Sequence, residues 1–474
     1  MTQATSTRTQ SHPAAALDRL SFKEKVGFGI GDMGFNFFWA TWAAYLMIFY
    51  TDVFGLSAAA VGTMMLLTRI MDAFTDPVMG AIADRTKSRW GKFRPYLLFG
   101  AIPMIGAAVL TFTIPDLSEG GKLIWAYGTY SLMMLMYTIL SIPYSALSGV
   151  ITSNGQERTT LISFRFIAAF AGTTIVNWLT LDLVRWLGQG NEALGWQLTM
   201  GLYGVIAACL FATVFFTTRE RVVPMAQAEP VPYTQDIKDL IDNKPWLILF
   251  SLALIIMVTI ALRAATGAYY FTYFVERPDL IGAFLGTQSI ALAIGAALTP
   301  VMTLFMSKKR LMGVLMSIVG VLSISFFFIP PHMIWLMFVV NIVICLALGP
   351  KSPLAFAMYA DTADYTEWRT GRRATAMTFA AATFSQKLGG ALAAAIIGWT
   401  LGYLGYVANE AQSDASLTGI VVLLTVVPGL VALLAALVVS FYKLDEETMQ
   451  GIQMDLAERK ASREAKLEID PARP

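Results

Sequence analysis

Twelve times between residues 26 and 441 the chain runs predominantly apolar for about twenty residues, the length a helix needs to cross the hydrocarbon of a bilayer. No water is available there to bond peptide groups, so each crossing segment must satisfy its own backbone, as a helix does. The runs predict spans at 26–50, 60–83, 96–114, 123–147, 160–184, 198–216, 246–274, 280–306, 311–329, 333–359, 374–404 and 417–441, an all-α membrane protein with twelve transmembrane helices. Composition points the same way: the 474 residues are 56% hydrophobic and 14% charged, with mean hydropathy +0.60, far from a soluble globular chain. Cys209 and Cys345 both sit inside apolar runs, which leaves no disulfide framework and no thiol motif.

Basic residues set the orientation, because they concentrate in short cytoplasmic loops. Arg85, Lys87, Arg89, Lys92 and Arg94 fill the second loop, Arg158 the fourth, and Arg219, Arg221, Lys238 and Lys244 the central one. Lys308, Lys309, Arg310, Arg369, Arg372 and Arg373 follow on the same side, whereas the opposite loops hold only Lys122, Arg185 and Arg277. Both termini are therefore expected in the cytoplasm. The net charge of +2 is almost balanced and confined to loops, so it speaks for topology and not for nucleic acid. The longest polar interruption divides the chain near its middle. The expected organisation is a disordered cytoplasmic tail at 1–22, a six-helix bundle at 23–217, a cytoplasmic linker at 218–245, a second six-helix bundle at 246–444 and a cytoplasmic tail at 445–474. Pro77-Val78-Met79 before the basic second loop is echoed by Pro300-Val301-Met302 before Lys308, Lys309 and Arg310, as two parallel repeats predict. Repeats of that kind place a binding site at their interface, near the midplane.

The stretch RIMDAFTDPVMGAIADRTKSRWGKFRP, 69–95, drops Asp72 and Asp76 into an otherwise apolar span. A carboxylate in hydrocarbon costs several kcal/mol unless it meets a partner, an ion or water, and a spacing of four puts both on one helix face. Such a pair suits a small cation or a proton inside a membrane carrier. Four cations also fall in or at the ends of spans: Arg165, Arg263, Lys351 and Lys387. Lys387 is an expected partner for Asp72 or Asp76 when no coupling cation is bound.

Taken together, YTDVFGLS after the first span, DAFTDPVMG in the second, SRWGKFRP in the loop, and ADTADYTEW and QKLGG late in the chain resemble the glycoside, pentoside and hexuronide cation symporters, from about Lys23 to Leu444. The resemblance implies a major facilitator fold in two six-helix halves, alternating access, and symport of a sugar with Na+ or H+ across a bacterial-type inner membrane. It implies no catalysis, no cofactor, no metal beyond a possible Na+, and no obligate protein partner besides the surrounding lipid. The family's cation site falls on Asp72 and Asp76, with Thr75 between them and Thr138 on the fourth span; its sugar-contact cations fall on Arg165 and Lys387. The chain departs from the melibiose-permease-like pattern at Asn36, where a sugar-binding aspartate is replaced, and at Phe35, where a lysine is replaced. Ser141, Ser145 and Ser352 stand where an aspartate and two tryptophans would be, so the galactoside clamp is absent. Gly80, Asp84, Arg85 and Arg89 resemble the cytoplasmic gate of the superfamily, and Asp361, Asp364, Glu367, Arg369, Arg372 and Arg373 resemble its counterpart in the second half.

With that clamp missing, the remaining polar groups describe the substrate. Asp32, Asn36, Trp39, Ser141, Arg165, Arg263, Lys351 and Lys387 are the expected lining. Phe35, Trp39 and Trp42 can share a face suited to the apolar side of a sugar ring, and Asn36 can exchange hydrogen bonds with hydroxyls. Cations facing the cavity without acidic partners favour a carboxylate or sulfonate, since the arginine fork binds such groups bidentately. The expected substrate is an anionic sugar, a hexuronide, uronate or sulfosugar; a neutral pentoside or glycoside is the alternative. A lysophospholipid or amphiphile carrier of the same fold, and a non-transporting sensor, are the rivals from other classes. His12 and His332 support neither a metal site nor a histidine relay, and no G-x-x-x-x-G-K-[ST] motif indicates an ATP-driven pump.

Overall fold

The computed structural model describes residues 19–152, 155–221, 241–370 and 375–469, and among these it contains helices and no strand. The first half comprises α1 (Phe22–Ile48), α2 (Ala58–Arg85), α3 (Arg94–Thr111), α4 (Glu119–Val150), α5 (Gly155–Gly188) and α6 (Glu192–Thr217). The second comprises α7 (Lys244–Tyr269), α8 (Ile281–Met302), α9 (Lys308–Phe326), α10 (Ile334–Leu348), α11 (Lys351–Thr370), α12 (Thr375–Tyr403), α13 (Asp414–Leu424) and α14 (Val426–Ser440). A polar helix, α15 (Glu446–Ile469), follows. It docks on the end of α11, where Trp368 Nε1 donates to Asp455 at 3.0 Å and Arg459 donates to the Trp368 carbonyl at 2.8 Å.

Nine segments among the described residues are long and apolar enough to cross a bilayer, with α10–α11 and α13–α14 each counting as one broken span. The long helices that fall short of that apolarity are α1, α2 and α12, which carry Asp32 and Asn36, Arg69, Asp72 and Asp76, and Lys387. Polar residues that dilute a span are those it presents to the interior.

The halves echo one another in detail. α1 ends in a π-turn (Phe49–Val53) in which Phe54 N–H donates to the Phe49 carbonyl and Leu56 N–H to that of Tyr50. α7 ends in another (Tyr270–Phe274), and the same two bonds recur from Val275 to Tyr270 and from Arg277 to Phe271. Within each half the packing is internal, α1 against α5 and α6, and α7 against α12 and α14; α2 crosses to α12 and α5 to α8.

Those crossings meet on the face away from the basic loops. Gly398 on α12 lies against α2 so closely that a Cβ there would fall on the Ala58 carbonyl, and only glycine permits this approach. Asn177 of α5 donates to Ser289 of α8 at 2.8 Å. At the rim Asp52 accepts the hydroxyls of Thr51 at 2.6 Å, of Tyr406 at 2.5 Å and of Tyr273, while Asn409 holds its backbone carbonyl at 2.6 Å. Toward the basic face Phe166 and Phe356 touch with ring centres 6.2 Å apart, and Arg85 and Arg89 are exposed and make no ion pair among the described residues. The polar contacts just described between the halves lie on the face away from the basic loops.

Candidate functional site

Pro77 in α2 has no N–H to offer the carbonyl of Ala73, which loosens the helix between the two acids. Asp72 is 1% exposed, and Asp76, one turn nearer the basic face, is 24% exposed. Lys387 reaches across from α12 and pairs with Asp76, with its Nζ 3.9 Å from Asp72 Oδ2. Arg69, one turn earlier on α2, bonds Asp72 Oδ2 at 3.2 Å and lays its guanidinium 4.8 Å from the centre of the Trp39 ring. Thr138 of α4 donates to Asp76 Oδ1 at 2.9 Å. Two carboxylates thus meet two cations from both halves. One acceptor is left over: Asp72 Oδ1 is buried and has no hydrogen-bond partner among the described residues. A buried anionic oxygen without a donor is costly, and a small cation lodged beside it removes that cost.

Beside this cluster lies a chamber of about 50 Å³, walled by Trp39, Trp42, Met65 and Met257 with Arg69 and Lys387 at its polar edge. Asp32 accepts from Arg165 Nε at 3.3 Å, and that guanidinium lies 5.0 Å from the Tyr144 ring centre. Asn36 takes a hydrogen bond from Thr173 at 2.9 Å through its side-chain oxygen and donates to the Asp32 carbonyl at 2.8 Å. α1, α2, α4, α5 and α12 together therefore bring Asp32, Asn36, Trp39, Asp72, Asp76, Thr138, Arg165 and Lys387 to the seam between the halves.

Other expected residues lie elsewhere. Arg263 is 1% exposed inside the second half and donates to Asn341 Oδ1 at 2.6 Å, Ser323 Oγ at 3.3 Å and the Leu424 carbonyl at 3.3 Å. The physical reason is the broken twelfth span. Residue 428 is proline, so the Leu424 carbonyl loses its helical donor at the end of α13, and the guanidinium supplies one there at the negative end of the helix dipole. That placement corrects the expectation that Arg263 lines the substrate site. Thr75 turns back to the Asp72 carbonyl at 3.5 Å rather than bridging the two carboxylates. Lys351 is half-buried at the start of α11, after the Gly349–Pro350 break, and Ser141 is half-buried on α4; no contact with the cluster is recorded for either. Phe35 is buried against Tyr137, while Trp42 packs on Tyr137 from the chamber wall.

Of the gate residues, Gly80 is half-buried, and Asp361 binds Lys308 at 2.6 Å within its own half. Asp364 is half-buried on α11 and has a partner of its own. The side chain of Asp84 and residues Arg372 and Arg373 lie outside the described residues. Arg69 and Tyr137 were not expected at the site. For Arg69 the signal was present in the R-x-x-D spacing, which places it one turn before Asp72 on the same face.

Comparison with known proteins gives the family and the fold. A family model described as MFS/sugar transport protein matches residues 27–446. The inner membrane symporter YicJ of Escherichia coli is 39% identical over 445 residues, covering 93% of this chain and 96% of its own. The isoprimeverose transporter of Lactiplantibacillus pentosus is 36% identical over 446 residues, 92% of each chain. Among solved structures, a bacterial homologue of the human lysosomal transporter Spinster, inward-facing and unoccupied, shares the fold with a TM-score of 0.61 at 14% identity, over 92% of this chain and all of that one. The chain belongs to the MFS/sugar transport protein family, among its glycoside, pentoside and hexuronide cation symporters, and is a multi-pass secondary active transporter.

Proposed function

We propose that the chain carries a sugar into the cell together with one monovalent cation, Na+ or H+, and that the cation lodges among Asp72, Asp76 and Thr138. The observation that carries this reading is Lys387 seated on Asp76 beside the orphaned Asp72 Oδ1. An internal cation holds the place of the external one. When the ion arrives, Lys387 is released toward the chamber, and the helices close around a filled site in preference to a half-filled one, which is the difference in affinity that alternating access requires. Its termini face the cytoplasm of an inner membrane.

Charge balance deepens the substrate reading. Arg69 and Lys387 against Asp72 and Asp76 is neutral, and Arg165 against Asp32 is neutral. Adding the coupling cation leaves one positive charge in excess, which a sugar carboxylate cancels. An anionic sugar, bound through Lys387 and Arg165 with its apolar face on Trp39 and a hydroxyl on Asn36, is the substrate class that follows. The neutral alternative is favoured by the likeness to an isoprimeverose transporter. Uptake of radiolabelled methyl β-D-glucuronide and methyl β-D-xyloside into proteoliposomes, with and without Na+ at two pH values, decides between them. Ion-dependent accumulation of the glucuronide is expected, accumulation of the xyloside alone would overturn the anionic reading, and accumulation of neither would overturn sugar symport by this route.

A further inference from the structure

The end of α2 and the loop after it carry the gate arginines, Arg85 and Arg89, yet the loop's anchor lies far away in the sequence. Glu220, just past the end of α6, accepts three consecutive backbone N–H groups: that of Lys92 at 2.8 Å through Oε2, and those of Phe93 at 2.9 Å and Arg94 at 3.1 Å through Oε1. The local reason is a missing cap. Phe93 occupies the N-cap of α3 and has no side-chain acceptor, so the first N–H groups of that helix would go unbonded. A carboxylate fills the place, favoured there by the positive end of the helix dipole. Gly91 makes room for it. Its φ is +106°, a left-handed conformation, and a Cβ at that position would fall on the Glu220 carboxylate.

The neighbouring residues complete the clamp. Arg94 donates to the Phe215 carbonyl and stacks 4.7 Å from the Phe215 ring centre. Arg221 donates its backbone N–H to Val150 at 2.8 Å and pairs with Glu24 of α1 at 2.7 Å. The stretch 215–221 therefore ties the loop to the ends of α1, α4 and α6.

We propose that Glu220 is a positioning residue of the transport cycle: it fixes the 86–94 loop to the first bundle so that Arg85 and Arg89 arrive in register when the basic face closes. This rests on the gate reading of those two arginines and adds the residue through which they are held. Glu220 touches neither substrate nor ion. Its loss is expected to slow the inward-to-outward step and leave binding intact.

The test reads the two apart. Glu220→Ala and Gly91→Ala, singly and together, are placed in a background carrying Ala43→Cys, a reporter at a residue that also lines the chamber, labelled by a membrane-impermeant maleimide from the face opposite the basic loops. Each single variant is expected to lower Vmax about tenfold at unchanged KM for whichever of the two methyl glycosides the parent carries, and to slow labelling by the same factor, at parental folded yield. The double variant should be no worse than either single one, because both remove the same contact. Parental Vmax and labelling in Glu220→Ala, or factors that multiply in the double variant, would overturn the proposal. If Glu220→Ala fails to fold, Glu220→Gln keeps one acceptor oxygen and should show a slowing of about threefold, and unaltered labelling there overturns it as well. Should the parent carry neither sugar, the sugar reading fails while the labelling still decides the role of Glu220.

Discussion

Arg263 and Lys387 are both cations set into apolar helices of the second half, and the molecule treats them in opposite ways. Arg263 is surrounded by neutral partners, Asn341, Ser323 and the freed carbonyl of Leu424, and it joins α7, α9, α10 and α13. None of those partners can exchange for an ion. Lys387 meets two carboxylates on the other half of the molecule, at a seam that must open and close. A charge whose partners are other charges can be displaced by a mobile ion of like sign; a charge satisfied by fixed dipoles cannot. The difference separates a cation held by fixed dipoles from one placed for the ion exchange proposed above, without reference to where either lies in depth.

Replacing Asp76 gives the largest effect expected of this contrast. Asp76→Asn removes the charge that Lys387 and the coupling ion compete for, so accumulation against a gradient should vanish, with internal and external sugar merely equalising, while some exchange persists. The folded yield should hold, since an amide still accepts from Thr138. Concentrative uptake at the parental ratio in this variant would remove the switching role and collapse the comparison.

The reciprocal change should damage folding and spare coupling. Arg263→Met leaves the Leu424 carbonyl without its side-chain donor and Asn341 with only the weak Cys345 thiol, a loss of about 1–3 kcal/mol, read as a lower melting temperature in detergent. Protein that does fold should accumulate sugar at the parental ratio. Pro428→Ala restores a helical N–H for Leu424, so it should recover about 1 kcal/mol of the deficit in the double variant and little or nothing alone. Normal stability of Arg263→Met together with lost sugar binding would return Arg263 to the substrate site.

What the sequence disclosed follows the same division. Periodicity and apolar length indicate which segments become helices, because in hydrocarbon a backbone has few alternatives. The acids of α2 and the lysine of α12 were legible as a pair since unpaired charges there are costly enough to imply one another. Arg69 needed only a closer reading of one helix face. Arg263 was not legible: its partner is a carbonyl exposed by a proline 165 positions onward, and no residue type advertises an orphaned backbone group. The Glu220 clamp was hidden for the same reason, its three donors being main-chain N–H groups. Contacts between side chains of opposite charge leave a trace in composition; contacts to backbone leave none.

The finest effect concerns Thr138 and tells which ion trades places with Lys387. Its hydroxyl donates to Asp76 Oδ1 at 2.9 Å, and the same oxygen is available to a bound metal ion. Thr138→Val keeps the shape and deletes that group, a change worth about 1 kcal/mol, or roughly fivefold in an equilibrium constant. Which titration moves depends on the ion. If sodium couples, a ligand is lost, and half-maximal uptake should require about five times more Na+. If a proton couples, the hydrogen bond to the carboxylate is lost, and the change should appear in the pH dependence of uptake while its Na+ dependence stays parental. A variant indistinguishable from the parent in both titrations would show that Asp76 is not where the ion resides, leaving Lys387 as fixed a strut as Arg263.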